Sequence, residues 1–89
     1  VLLIAEVSDT SFAYDRETKF PLYAKSGIKE AWIVNLKEGC VEVHTNPSEH
    51  GYDTSVKFRK GMTITPGCFS DVHIPVDEII GQWEYPISV

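Results

Sequence analysis

The sequence predicts an α/β (α+β) fold: a strand, a helix and a second strand, followed by an antiparallel meander and a short C-terminal helix. Three observations predict it. Val1–Val7 is an almost continuous apolar run, the pattern of a central strand covered on both faces. A segment with Phe20, Tyr23 and Ala24 at helical spacing stops at Gly27. Residues 40–45 and 52–58 then alternate apolar and polar side chains, as strands with unlike faces do.

Size and charge narrow the function classes. The chain has 89 residues, enough for one domain of modest core. A chain of this size buries roughly 60–65% of its unfolded surface. The first residue is Val and the sequence opens inside a strand pattern, so we expect the C-terminal part of a larger domain, with strand partners upstream or in another subunit. A net charge of −5 argues against non-specific nucleic-acid binding through a basic face. It does not argue against a nuclease, whose carboxylates are part of that count. Cys40 and Cys68 stand 28 residues apart without a Cys-x-x-Cys neighbour, and thiols of a cytoplasmic protein are the expectation. No apolar run approaches the ~18 residues of a membrane span.

Along the chain, Glu6 is the one polar side chain of the first strand, and alternation places it on the face of Leu2 and Ile4. It sits near the C-terminal end, where α/β folds commonly carry their chemistry. A buried carboxylate needs a partner, so Glu6 is either half of a structural ion pair or a functional group. The loop Ser8–Ser11 offers capping side chains, with Asp9 as a further oxygen donor. Asp15 is placed to cap the helix or to orient a nearby cation. Lys19 falls in the first turns, where it can return to Glu6, and Pro21 should kink the helix just beyond it.

Glu30–Leu36 reads as a second strand, parallel to the first because a helix separates them. Lys37–Gly39 reads as a tight turn. Cys40–Thr45 then puts Val41 and Val43 on one face, with Glu42 and His44 on the other, where His44 reads as solvated. Asn46–Gly51 reads as a loop in which Glu49 and His50 lack a third ligand. Tyr52–Phe58 is the next strand, and Lys57, Arg59 and Lys60 form the basic cluster of the chain, read as a solvated strand end. Met62–Ile64 and Val72–Ile74 are short extended pieces, with His73 structural between apolar neighbours. Asp77 caps a short helix, Glu78–Gly81, and Trp83, Tyr85 and Ile87 alternate as an edge strand or a cover for a partner subunit.

From Leu3 to about Ile80 the chain resembles the Uma family of restriction-endonuclease-like proteins, a branch of the PD-(D/E)XK nuclease superfamily. The resemblance rests on L-I-A-E-V-S-D-T-S (3–11), Y-D-R-E-T-K-F-P-L-Y-A-K-S-G-I (14–28) and E-A-W-I-V-N-L (30–36), with V-E-V-H (41–44) and D-V-H-I-P-V-D-E-I-I (71–80) behind them. Pro21 belongs to the family pattern. The resemblance implies a restriction-endonuclease-like core and a metal-dependent phosphodiesterase. Glu6 matches the metal-binding glutamate, and Lys19 a lysine moved from strand to helix. Asp15 is then a partner of Lys19.

Such a site pairs carboxylates with Mg²⁺ or Mn²⁺, which favour oxygen ligands, and a lysine beside the developing charge. Ser8, not Lys, stands two residues after Glu6, and Leu2 stands where the family commonly has its first Asp. Either that Asp is lost or it lies upstream of Val1, where an Asp six residues before Glu6 would share its strand face.

Two functions follow. One is a Mg²⁺- or Mn²⁺-dependent endonuclease acting on DNA through Glu6 and Lys19, completed by an upstream Asp, in a cytoplasmic homodimer or higher homo-oligomer. The other is a catalytically inactive domain of the same fold that serves binding or assembly, with Glu6–Lys19 reduced to an ion pair.

Overall fold

The structure, a computed structural model, describes residues 3–8 and 15–84, apart from the side chains of Asp15 and of residues 82–84. Strand β1, Leu3–Ser8, leads to a π-helical turn, Asp15–Lys19, that runs directly into α1, Phe20–Lys25. Strands β2 (Glu30–Asn35), β3 (Cys40–Ser48) and β4 (Gly51–Arg59) follow, and the four strands form one sheet in the order β1-β2-β3-β4. β1 and β2 are parallel, and the remaining pairs are antiparallel. Two short strands, β5 (Thr63–Ile64) and β6 (Ile74–Pro75), pair antiparallel before α2, Val76–Glu84. This is the mixed α/β arrangement that the sequence predicts.

The sheet separates two packing layers. On one face Trp32, Val34, Val41 and Val43 pack against Ile64, Val76 and Ile80 from the C-terminal segment. On the other face Ala31 and Ile33 pack against Phe20. Glu30 ties the C-terminal segment to β2. Its buried carboxylate accepts from the Trp32 indole (Nε1–Oε2 2.6 Å) and from the Gly67 backbone N–H (2.9 Å).

The helix ends as its sequence dictates. Gly27 has φ +83°, its N–H bonds the Ala24 carbonyl at 3.0 Å, and the Ile28 N–H bonds Tyr23 at 3.1 Å. That pair of bonds is a Schellman closure, which favours glycine at its left-handed position. At the other end, Pro21 has no N–H for the carbonyl four residues back. The hydrogen-bond spacing changes from π to α at Phe20, so the expected kink takes the form of a change in spacing.

Several expectations are corrected. β1 is an edge of the described sheet, while β2, buried at all six positions, is the strand covered on both faces. Val7, 39% exposed, shows that an apolar run marks a strand without fixing its place in the sheet. The segment 46–51 is the end of a long hairpin. β3 and β4 stay in register to Ser48 and Gly51, leaving Glu49 and His50 as the turn. His73 is exposed and bonds Thr65 (Nδ1–Oγ1 2.9 Å). The last helix begins one residue before Asp77, whose carboxylate accepts from the Gly61 N–H at 2.7 Å. The helix continues through Glu84, so Trp83 lies in helix rather than strand, and Tyr85 and Ile87 lie outside the described residues.

Candidate functional site

Register builds the site before any side chain is placed. Glu6 pairs with Ile33, Ile33 with Glu42, and Glu42 with Lys57. These four residues therefore form one row across the sheet, all on the face that carries the π turn and α1. The next row toward the C-terminal end of β1 is Ser8, Asn35, Cys40 and Arg59.

Over the first row lies the helix. Lys19 Nζ is 3.4 Å from Glu6 Oε1, with the two side chains 37% and 23% exposed. The Tyr23 hydroxyl donates to the other carboxylate oxygen at 2.5 Å. Lys19 closes the π turn and Tyr23 lies one helical turn further along, so both reach the same strand end. The sequence places Lys19 near Glu6, and the structure brings them together. Helical spacing alone marks Tyr23 as an apolar position; its spacing of four from Lys19 is the signal that places its hydroxyl there.

Two strands away is a second polar group, buried where alternation alone predicts a solvated face. His44 and Glu42 do alternate against Val41 and Val43, but their face is covered by the helix rather than solvated. Both are buried. His44 Nε2 lies 3.2 Å from Glu42 Oε1, and its ring meets Phe20 edge-on at 4.8 Å. Arg16, from the π turn, spans both oxygens of Glu42, with Nε at 2.8 Å from Oε1 and Nη2 on Oε2. The Arg16 hydrogen bond holds the Glu42 carboxyl below its usual range. Burial lowers the His44 pKa, against the pull of Glu42 in the other direction.

The turn between β2 and β3 is held by buried Asn35. Its side-chain oxygen accepts from the Glu38 N–H at 2.9 Å, and its backbone carbonyl accepts from the Gly39 N–H at 2.9 Å. Burial raises the Cys40 thiol pKa above its usual value. Cys40 and Cys68 are thiols rather than a disulfide pair. Among the described residues every buried side-chain nitrogen and oxygen has a hydrogen-bond partner.

The Asp15 side chain and Asp9 lie outside the described residues. Among the described residues no group of three or more His, Cys, Asp or Glu is arranged to hold a metal ion. Glu6 is the carboxylate at this strand end, and Glu42 is separated from it by Ile33 and engaged with Arg16 and His44. The described residues therefore do not by themselves fit Mg²⁺, which takes several oxygen ligands in octahedral geometry. No helix among them is long and apolar enough to cross a membrane.

A parallel strand pair joined by a helix and extended by an antiparallel hairpin is an α+β arrangement consistent with a nuclease-like fold, and Glu6, Lys19 and Tyr23 meet at one strand end of it. Comparison with protein families gives the particular one. The chain belongs to the Uma2 family, described as "Putative restriction endonuclease", whose model matches residues 1–77. A comparison with curated proteins found no match, and one with solved structures found none.

Proposed function

We propose that this chain is part of a nuclease that hydrolyses phosphodiester bonds of DNA, with Glu6 and Lys19 at its active centre. The observation that carries the reading is the 3.4 Å approach of Lys19 to Glu6 at a strand end inside the segment that matches the family. Lys19, whose side chain is partly exposed beside Glu6, would set an ammonium against the charge that develops on a phosphoryl oxygen, a stabilisation that is worth more where water is excluded. Tyr23 holds one oxygen of Glu6 and so limits its rotamers. Glu6 supplies one hard oxygen ligand. Mg²⁺ or Mn²⁺ would require more, and we infer that an Asp upstream of Val1 would provide it. Such a metal would supply an activated water and offset charge on the phosphoryl group.

The rival reading is a catalytically inactive nuclease-fold module for binding or assembly. It is favoured by the lack, among the described residues, of any group of three or more His, Cys, Asp or Glu arranged to hold a metal ion. A cleavage assay separates the two. A polypeptide extended upstream of Val1 is incubated with plasmid and single-stranded DNA, with and without Mg²⁺ or Mn²⁺. Glu6→Ala and Lys19→Ala are run in parallel. The nuclease reading expects metal-dependent nicking that falls about 100-fold or more in each variant. Three proteins that behave alike, whether inert or equally active, remove Glu6 and Lys19 from any active site and leave the module.

A further inference from the structure

The basic cluster at the end of β4 lies on the same surface as Glu6. Lys57 ends the row that begins with Glu6, and Arg59 ends the neighbouring row that begins with Ser8. Arg16 stands between them, bound to Glu42 in the middle of the first row. Lys60 Nζ lies 3.9 Å from where a Cβ on Gly39 would sit, over the β2–β3 turn. Lys19, Arg16, Lys57, Arg59 and Lys60 thus run across one end of the sheet, and Lys37 stands in the adjoining turn. These are six of the chain's eight Lys and Arg residues. The other two, Lys25 and Lys29, sit at the opposite end, where α1 closes and β2 begins. The counter-charges on this side are Glu6 and Glu42 within the row, paired with Lys19 and Arg16, Glu38, which pairs with Lys57 at 3.3 Å, and the exposed Glu17.

We propose that Lys57, Arg59 and Lys60 extend the Glu6/Lys19 centre into a track for the phosphate backbone of a nucleic-acid strand, with Arg16 at its midpoint. The inference rests on the nuclease reading for the location of the centre, and names how its substrate lies. Three strand steps of ~4.8 Å separate Glu6 from Lys57, or ~14 Å. That distance is about four nucleotides at the ~3.4 Å rise of one strand. Arg16 is fixed by its two-point hold on Glu42, which sets the orientation of its guanidinium before any ligand arrives. The net charge of −5 counts against a chain that binds nucleic acid with its whole surface. A single track at one sheet end needs only local positive charge.

The test reads binding apart from cleavage. Fluorescent single-stranded and duplex oligonucleotides of 4 to 16 nucleotides are titrated with the full-length protein, without divalent metal, over a range of salt concentrations. The double variant K57A/R59A is compared with K25A/K29A, which removes the same charge from the other end. Lys60→Ala, in an exposed turn, is the third protein, and thermal melts check that all are folded. Each lost phosphate contact lowers the salt slope by about 1. The expected result is a slope smaller by about 2 in K57A/R59A, smaller by about 1 in Lys60→Ala, and unchanged in K25A/K29A. Equal losses in both doubles, no change in any variant, or no binding by the wild type overturns the track. The expected slopes together with a negative cleavage assay would keep the track and discard the nuclease. Cleavage dependent on Glu6 and Lys19, with slopes unchanged, would do the reverse.

Discussion

At the scale of single residues, the buried pair Glu42 and His44 sets the acid limit of the fold. Burial, the larger effect, lowers the His44 pKa from its usual 6.5, while Glu42 opposes the shift. The folded chain therefore takes up this proton less readily than the unfolded chain, and stability falls as pH drops below about 6.5. Glu42 is lowered from its usual 4.5, chiefly by the hydrogen bond from Arg16. Its stabilisation is present above that value and is lost as pH falls through the lowered pKa. Both groups thus act in the same direction, His44 first. The charged and titratable groups facing His44 are Glu42 on its own strand, Arg16 beyond it, and the Tyr52 ring 6.3 Å away. Unfolding in urea at a series of pH values should show free energy falling from pH 7 to 5. His44→Gln should flatten the part between about 5 and 6.5, leaving the lower part to Glu42. A wild-type profile level across that range would mean that His44 is not held neutral.

At the scale of elements, one short helix carries three of the groups that matter. The π turn supplies Arg16 and Lys19, and α1 supplies Tyr23. Six residues of α-helix and one π turn are too few to be stable alone, so their position depends on what they bury. Phe20 does most of this. It is 2% exposed, packs on Ala31 and Ile33, and meets the rings of Tyr23, His44 and Tyr52 at 4.8–6.0 Å. Tyr52 adds a tie from β4, its hydroxyl donating to the Ile28 carbonyl at 2.6 Å. Phe20→Ala removes the anchor and leaves a cavity, at a cost of about 3–5 kcal/mol. Domains have total stabilities of about 5–15 kcal/mol, so the variant is expected to lose much of its cooperative melt. Chemical denaturation measures the loss. A change under 1 kcal/mol would show that α1 is held by something other than this ring.

At the scale of the whole molecule, the two sheet edges differ. β4 is an outer strand and carries Lys57 and Arg59, charges of the kind that discourage edge pairing. β1 is the other outer strand of the described sheet, and Leu3, Ile4, Ala5 and Val7 give it no such protection. An apolar edge of this kind favours addition of a further strand, and we propose that a second copy of the chain or an upstream strand lies alongside β1. The two are separable. With the upstream segment present, a homo-oligomer predicts a melting temperature that rises with protein concentration and a sedimentation coefficient above that of the monomer. A concentration-independent monomer would assign the edge to the upstream segment.

The elements and one contact were legible in the sequence, while the identity of the strand at the centre and the state of the polar face were not. Local rules were sufficient for the strand–helix–strand order, for the stop at Gly27 and for the turn at Gly39, because periodicity and left-handed glycine positions depend on near neighbours. The approach of Lys19 to Glu6 followed from the strand–helix–strand geometry together with the family pattern. Alternation likewise separated Glu42 and His44 from Val41 and Val43. It could not say which layer would cover them, since a polar face is solvated or buried according to what packs on it. Arg16, 26 residues from Glu42, made that choice. The same holds for β1, whose apolar run marked a strand but whose place at the edge follows from sheet order. Long-range pairing also decided the row that joins Glu6 to Lys57, because register is a relation between strands that no single stretch of sequence contains.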